Sequence, residues 1–141
     1  MNKLMFPLSW GEALDRGTIL AIKVQMIKDK DKLRKVIQEW NDLQSIFDKA
    51  ILNEIFTMEQ LNDSFRELNA VNLELWDIED RIRIKERDQE FDDEFIELAR
   101  SVYKVNDQRF TLKNKFNQLV GSHYQEQKEY VDYANDSSSG N

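Results

Sequence analysis

Apolar residues recur at three- and four-residue spacing along four stretches of this chain, and each stretch reads as an amphipathic helix. The most regular is Asn69–Arg87, which carries two stripes. Val71, Leu75, Ile78 and Ile82 make an apolar face, and Asn72, Trp76, Glu79, Arg83 and Glu86 repeat beside it as a polar and aromatic face. A bundle helix needs the first stripe for its core. The second stripe has no such necessity, so it marks where a site would lie.

The flanking segments follow from the same periodicity and from local punctuation. A first helix over about 9–28 starts at the S-x-x-E capping box of Ser9 and Glu12 and buries Leu14, Ile19, Ile22, Met26 and Ile27. Gly17 lies inside it, where glycine costs roughly 1 kcal/mol against alanine. That cost is either tolerated for close packing or opens room for a ligand or another backbone. A turn at 28–31 precedes a second helix over about 31–53, with Leu33, Val36, Ile37, Trp40, Leu43 and Phe47 in register. An unbroken helix across 28–31 would leave one half without a packing partner.

Thr57 and Gln60 form a second capping box for a helix over about 58–87. At 1.5 Å per residue such a helix is roughly 45 Å long, which demands lengthwise packing. Asp92 is an N-cap, Phe91 and Ile96 have staple spacing, and Gly121 closes a fourth helix over about 93–120. The pattern therefore predicts an all-α, antiparallel bundle of about four helices. It forms a single domain over 1–130, with a flexible, disordered tail over 131–141. HYQEQKEYVDY, ahead of the NDSSSGN end, is expected to dock as a short helix.

Composition narrows the chemistry. Four Gly and one Pro leave few breakers, which suits long helices. A net charge of −7 without a basic run argues against nucleic acid as a partner. No cysteine and a single histidine, His123, exclude thiolate chemistry and a multi-histidine metal site, so no metal and no cofactor are expected. No segment has the ~20 apolar residues of a membrane span and the N-terminus is unlike a secretory signal, so a cytoplasmic location and no membrane partner are expected.

Catalytic signatures are missing. The sequence holds no phosphate-binding glycine loop, nucleophile elbow or H-E-x-x-H helix. Glu94–Glu97 and Glu12–Asp15 match the two halves of the E-x-x-E and E-x-x-D pairs that hold magnesium in helical nucleotide pyrophosphohydrolases, but in the wrong order and far apart. A chorismate-mutase-like site built from Arg and Lys has no supporting alignment.

Polar groups beside the core faces are the remaining candidates: Glu12 on the first helix, Asn72, Trp76, Glu79 and Arg83 on the third, and Asn106, Arg109 and Lys113 on the fourth. Two readings fit them. They are interhelical ion pairs at the rim of the core, or a cleft in which arginine and lysine hold a small anionic ligand.

The blocks PLSWGEALDRGTILAIK (7–23), VNLELWDIEDRIR (71–83), FIELARSVYKVNDQRFTLKNKFNQLVGS (95–122) and EQKEY (126–130) together resemble a family of small bacterial all-helical proteins classed as a domain of unknown function. The likeness covers roughly 7–130 and is carried by helical character alone over 31–66. It implies a single helical domain and assigns no residue a role.

Two functions follow as expectations. The first is a non-enzymatic protein-interaction module that self-associates, suggested by Trp40, Ile46, Ile51, Ile55 and Phe56 on secondary faces. The second is a binding protein or enzyme for a small anionic ligand, with a polar site between the first, third and fourth helices.

Overall fold

The computed structural model describes residues 2–134. Four helices, α1 (Trp10–Met26), α2 (Lys30–Leu52), α3 (Met58–Arg87) and α4 (Asp93–Val120), form the expected bundle, and there is no strand among the described residues. From residue 135 on, the expected tail lies outside the described residues.

The local signals mark most of the helix ends. The Ser9 side chain accepts from the Glu12 N–H, Thr57 and Gln60 form the complete reciprocal box, and Asp92 accepts from Phe95. Gly121 ends α4 at φ 67°, the left-handed conformation that a side chain would oppose. The chain breaks between α1 and α2, and Asp29 caps the latter. Two details differ from expectation. Glu12 sends its carboxylate to Lys113 instead of back to the Ser9 N–H. Phe91 packs edge-on against Phe95, and Ile96 stays half-exposed, so no buried staple forms there.

The shortest helix is the central one. α1 packs against α2, α3 and α4, whereas α2 leans mainly on α1. α1 therefore buries residues around most of its circumference, Leu14, Leu20 and Ile22 together with Gly11, Asp15, Gly17 and Thr18. At one end Leu14, Phe47, Phe56, Leu61, Leu68 and Phe116 make the main core, with Trp10 edge-on to Phe56 at 5.2 Å. A second cluster, Leu75, Ile78, Leu98 and Val105, continues along the α3–α4 hairpin. α1 spans about 25 Å and α3 about 45 Å at 1.5 Å per residue, so the hairpin runs on past α1. Near its turn, Lys85 ties Glu90, Asp92 and Glu94 together, and these contacts raise its pKa.

The segment after Gly121 is not a helix. It turns back and runs extended along α4 as a strap. Asn114 holds the Glu126 backbone from both sides, donating to its carbonyl at 3.0 Å and accepting from its N–H at 3.2 Å. Lys128 lies 4.9 Å over the Phe110 ring, and the Tyr133 hydroxyl donates to Asp107 at 2.6 Å.

Two glycines of α1 set how closely its neighbours approach. A Cβ on Gly11 would stand 2.3 Å from the Lys113 carbonyl oxygen, so alanine there forces α1 and α4 apart. A Cβ on Gly17 would meet Leu43 and Phe47 side chains at 3.4 Å, ordinary contact, which settles Gly17 as a packing position against α2. Gly11→Ala is expected to lose about 2–4 kcal/mol in urea unfolding. Gly17→Ala should stay within about 1 kcal/mol of the parent, since better helix propensity offsets the tighter fit. Equal losses at the two positions would refute this account.

Candidate functional site

The polar residues converge on the groove between α1 and α4. Asp15 is 3% exposed, and its carboxylate joins three helices. Arg109 donates to it twice, from Nε to Oδ1 at 2.8 Å and from an Nη to Oδ2 at 2.5 Å. From α3, the Asn72 amide donates to Asp15 Oδ1 at 2.9 Å and to Thr18 Oγ1 at 2.8 Å. The Thr18 hydroxyl in turn donates to the Asp15 carbonyl. A buried carboxylate is costly unless fully partnered, and this one has a bidentate guanidinium and an amide. The same hydrogen bonds from Asp15 hold the Arg109 pKa above its ordinary value, against desolvation.

One turn further, Lys113 stands between two carboxylates, Glu12 Oε1 at 3.0 Å and Glu126 Oε2 at 2.5 Å. Glu126 Oε2 is buried without a hydrogen bond of good geometry, and the ammonium is what satisfies it. Burial alone would lower the Lys113 pKa; Glu126 and Glu12 override it and hold the group above its ordinary value.

At the end of the groove the strap and α4 close the N-terminus of α1. The four first-turn N–H groups of a helix have no partner inside it. Here Trp10 N–H donates to Ser122 Oγ, Gly11 N–H to Asn117 Oδ1 at 2.6 Å and Glu12 N–H to Ser9 Oγ, and the helical ladder begins with Ala13 N–H to the Ser9 carbonyl. Asn117, fully buried, is held by its own bond to Asn114 Oδ1.

Of the residues singled out in the sequence, Glu12, Asn72, Arg109 and Lys113 belong to this network, and Asn106 touches it through a long 3.5 Å contact with Arg109. Glu79 and Arg83 are exposed and Trp76 is half-buried, and none of them joins it. Their separation is geometric. Along α3, Arg83 lies 11 residues, about 16 Å, beyond Asn72. α4 runs the opposite way, so the two stripes share a height only where they cross. Asp15, Thr18, Asn117 and Glu126 complete the network and were not among the candidate ligand residues.

The arrangement commits Lys113 and the inner edge of Arg109, the groups that an anion site between α1, α3 and α4 would need. Glu12, Asp15 and Glu126 neutralise Arg109 and Lys113 with one negative charge to spare. What it accomplishes is register: it fixes α1 against two helices at one height. A cleft of about 770 Å³ adjoins the seam between α4 and the strap, with Arg109, Lys113 and Glu126 in its lining.

No protein-family model, curated protein or solved structure matches this chain. No helix among the described residues is long and apolar enough to cross a membrane.

Two measurements test the seam. Asp15→Ala leaves a guanidinium unpaired in the groove and is expected to cost about 3–5 kcal/mol, part of which Arg109→Ala in the same chain restores. Additive losses in the double variant would contradict the pairing. The Lys113 pKa is raised above the ordinary lysine value of 10.5, so its contribution is fully present below that pH and is lost as pH rises through the folded value. Urea unfolding from pH 8 to 11.5 should show an alkaline fall in stability that is shallower in Lys113→Met; identical slopes would rule Lys113 out as its source.

Proposed function

We propose that this protein is a non-enzymatic interaction module that associates with itself through the end of the bundle where α1 begins. The observation that carries the reading is an uncovered apolar run. Leu4 and Phe6 are 89% and 71% exposed, and Met5 and Leu8 are exposed with them. Lys3 pairs with Asp42 on α2, and Ile46, one turn on along that helix, is exposed as well. Leu52, Ile55 and Met58 are exposed around the α2–α3 connection, at the same end as Trp10, Phe47 and Phe56.

Scattered apolar residues on a surface are ordinary, whereas contiguous ones rimmed by polar groups mark contact surfaces. Association of two copies would remove these side chains from water, and area burial at about 25 cal/mol/Å² favours it. The polar seam supports the same reading from the other side, because its charged groups are committed to one another and leave no free nucleophile or acid–base pair.

The test is sedimentation velocity over a wide concentration range. The parent chain is expected to form a dimer or larger species. Leu4→Ser with Phe6→Ser should shift it to monomer without changing helix content by circular dichroism, since neither residue is part of the core. A parent chain that stays monomeric at about 100 μM, well above the micromolar Kd of a modest interface, would sink the reading.

A further inference from the structure

We infer that the cleft between α4 and the C-terminal strap is a binding site for a small aromatic anion, on a surface separate from the apolar end of the bundle. The cleft is about 770 Å³, within the range of roughly 300–1,000 Å³ that holds small organic ligands. Its walls are mostly apolar and aromatic, with Val102, Tyr103, Phe110, Tyr130 and Tyr133 among them. Tyr103 and Tyr133 already meet edge-to-face with centroids 4.8 Å apart, an arrangement that presents a ring face or edge to a third ring.

The sign of the ligand follows from which charges are spent. Around the cleft, the Asp107 carboxylate accepts from Tyr133, and Glu126 is paired with Lys113. Lys128 makes no ion pair among the described residues; its ammonium lies over Phe110 and Tyr130, 4.9 and 5.7 Å from the ring centres. Arg109 spends Nε and one Nη on Asp15, while its other Nη has only the 3.5 Å contact to Asn106. The cleft thus offers two cationic donors with capacity left, Lys128 and the outer edge of Arg109, while Asp107, bonded to a neutral phenol, keeps its negative charge at the Tyr133 side and directs an anion to the Lys128 and Arg109 side. A planar ring fits among the tyrosines, and a carboxylate or similar anion on it can take charge-assisted hydrogen bonds from those donors. The Asp15 bridge places Arg109 firmly, so its outer edge is presented without further ordering.

Isothermal titration of the full chain with 2-naphthoate tests this, with 2-naphthylmethylammonium as the probe of equal shape and opposite charge. One molecule of 2-naphthoate per chain is expected to bind, about tenfold or more tighter than the ammonium compound. Lys128→Gln should weaken 2-naphthoate severalfold, and Lys3→Gln, which lies on α2's side of the bundle, should not. Methyl NMR should show the largest shifts at Val102 and Val131, which line the cleft. Absence of binding at millimolar 2-naphthoate overturns the inference. So does equal or preferred binding of the ammonium compound, an unaltered affinity in Lys128→Gln, or shifts confined to residues outside the cleft. None of these outcomes bears on self-association, which sedimentation reads independently.

Discussion

The Asp15 carboxylate is the constraint on which the bundle depends. Apolar faces alone would let α1 slide or rotate against α3 and α4, because hydrophobic burial is non-directional. A buried carboxylate has no such freedom. It must find Arg109 on one helix and Asn72 on another at the same height, or remain charged and unsolvated. Gly11 acts with it, allowing α1 to approach the α4 backbone so closely that Asn117 can reach the Gly11 N–H. Position along the axis is set by the carboxylate and separation by the glycine.

From that fixed groove the rest of the arrangement follows. α2 packs on the face of α1 opposite the seam, with Gly17 admitting Leu43 and Phe47. The strap is held by the same residues that close the groove: Asn114 supports both Asn117 and the Glu126 backbone, and Lys113 holds the Glu126 side chain. The cleft therefore owes its outer wall to the seam, and the two share Arg109, Lys113 and Glu126.

Local features were legible in the sequence because short-range chemistry causes them. Ser9, Thr57, Asp92 and Gly121 act within one turn, and the apolar stripe of α3 needs only its own periodicity. The site was legible in part. Asn72, Arg109 and Lys113 stood out as polar residues beside a core face, and that property survives folding. Asp15 did not, since nothing in the sequence ranks it above its neighbour Glu12, yet the first is buried among three helices and the second is a rim group. The grouping of Trp76, Glu79 and Arg83 with Arg109 failed because a stripe is a property of one helix, while a site requires heights on two helices running in opposite directions. The central place of α1 was hidden for a similar reason: α3 is longer and more regular, but centrality is decided by how many neighbours a helix touches.

The placement of α1 has a consequence for the order in which the chain can acquire structure. Its polar partners come late: Arg109 is 94 positions after Asp15, and Asn117 is 106 positions after Gly11. By contrast, the α3–α4 hairpin closes through a short turn and meets its own apolar cluster. On a ribosome, α1 and α2 emerge with the charge of Asp15 still in water, and they cannot complete the core until α4 follows. Contacts of such long sequence separation carry the larger loop-closure entropy and slow the search for the native state. The helix that holds the finished protein together is thus the first of the four to be synthesised and the last to be satisfied.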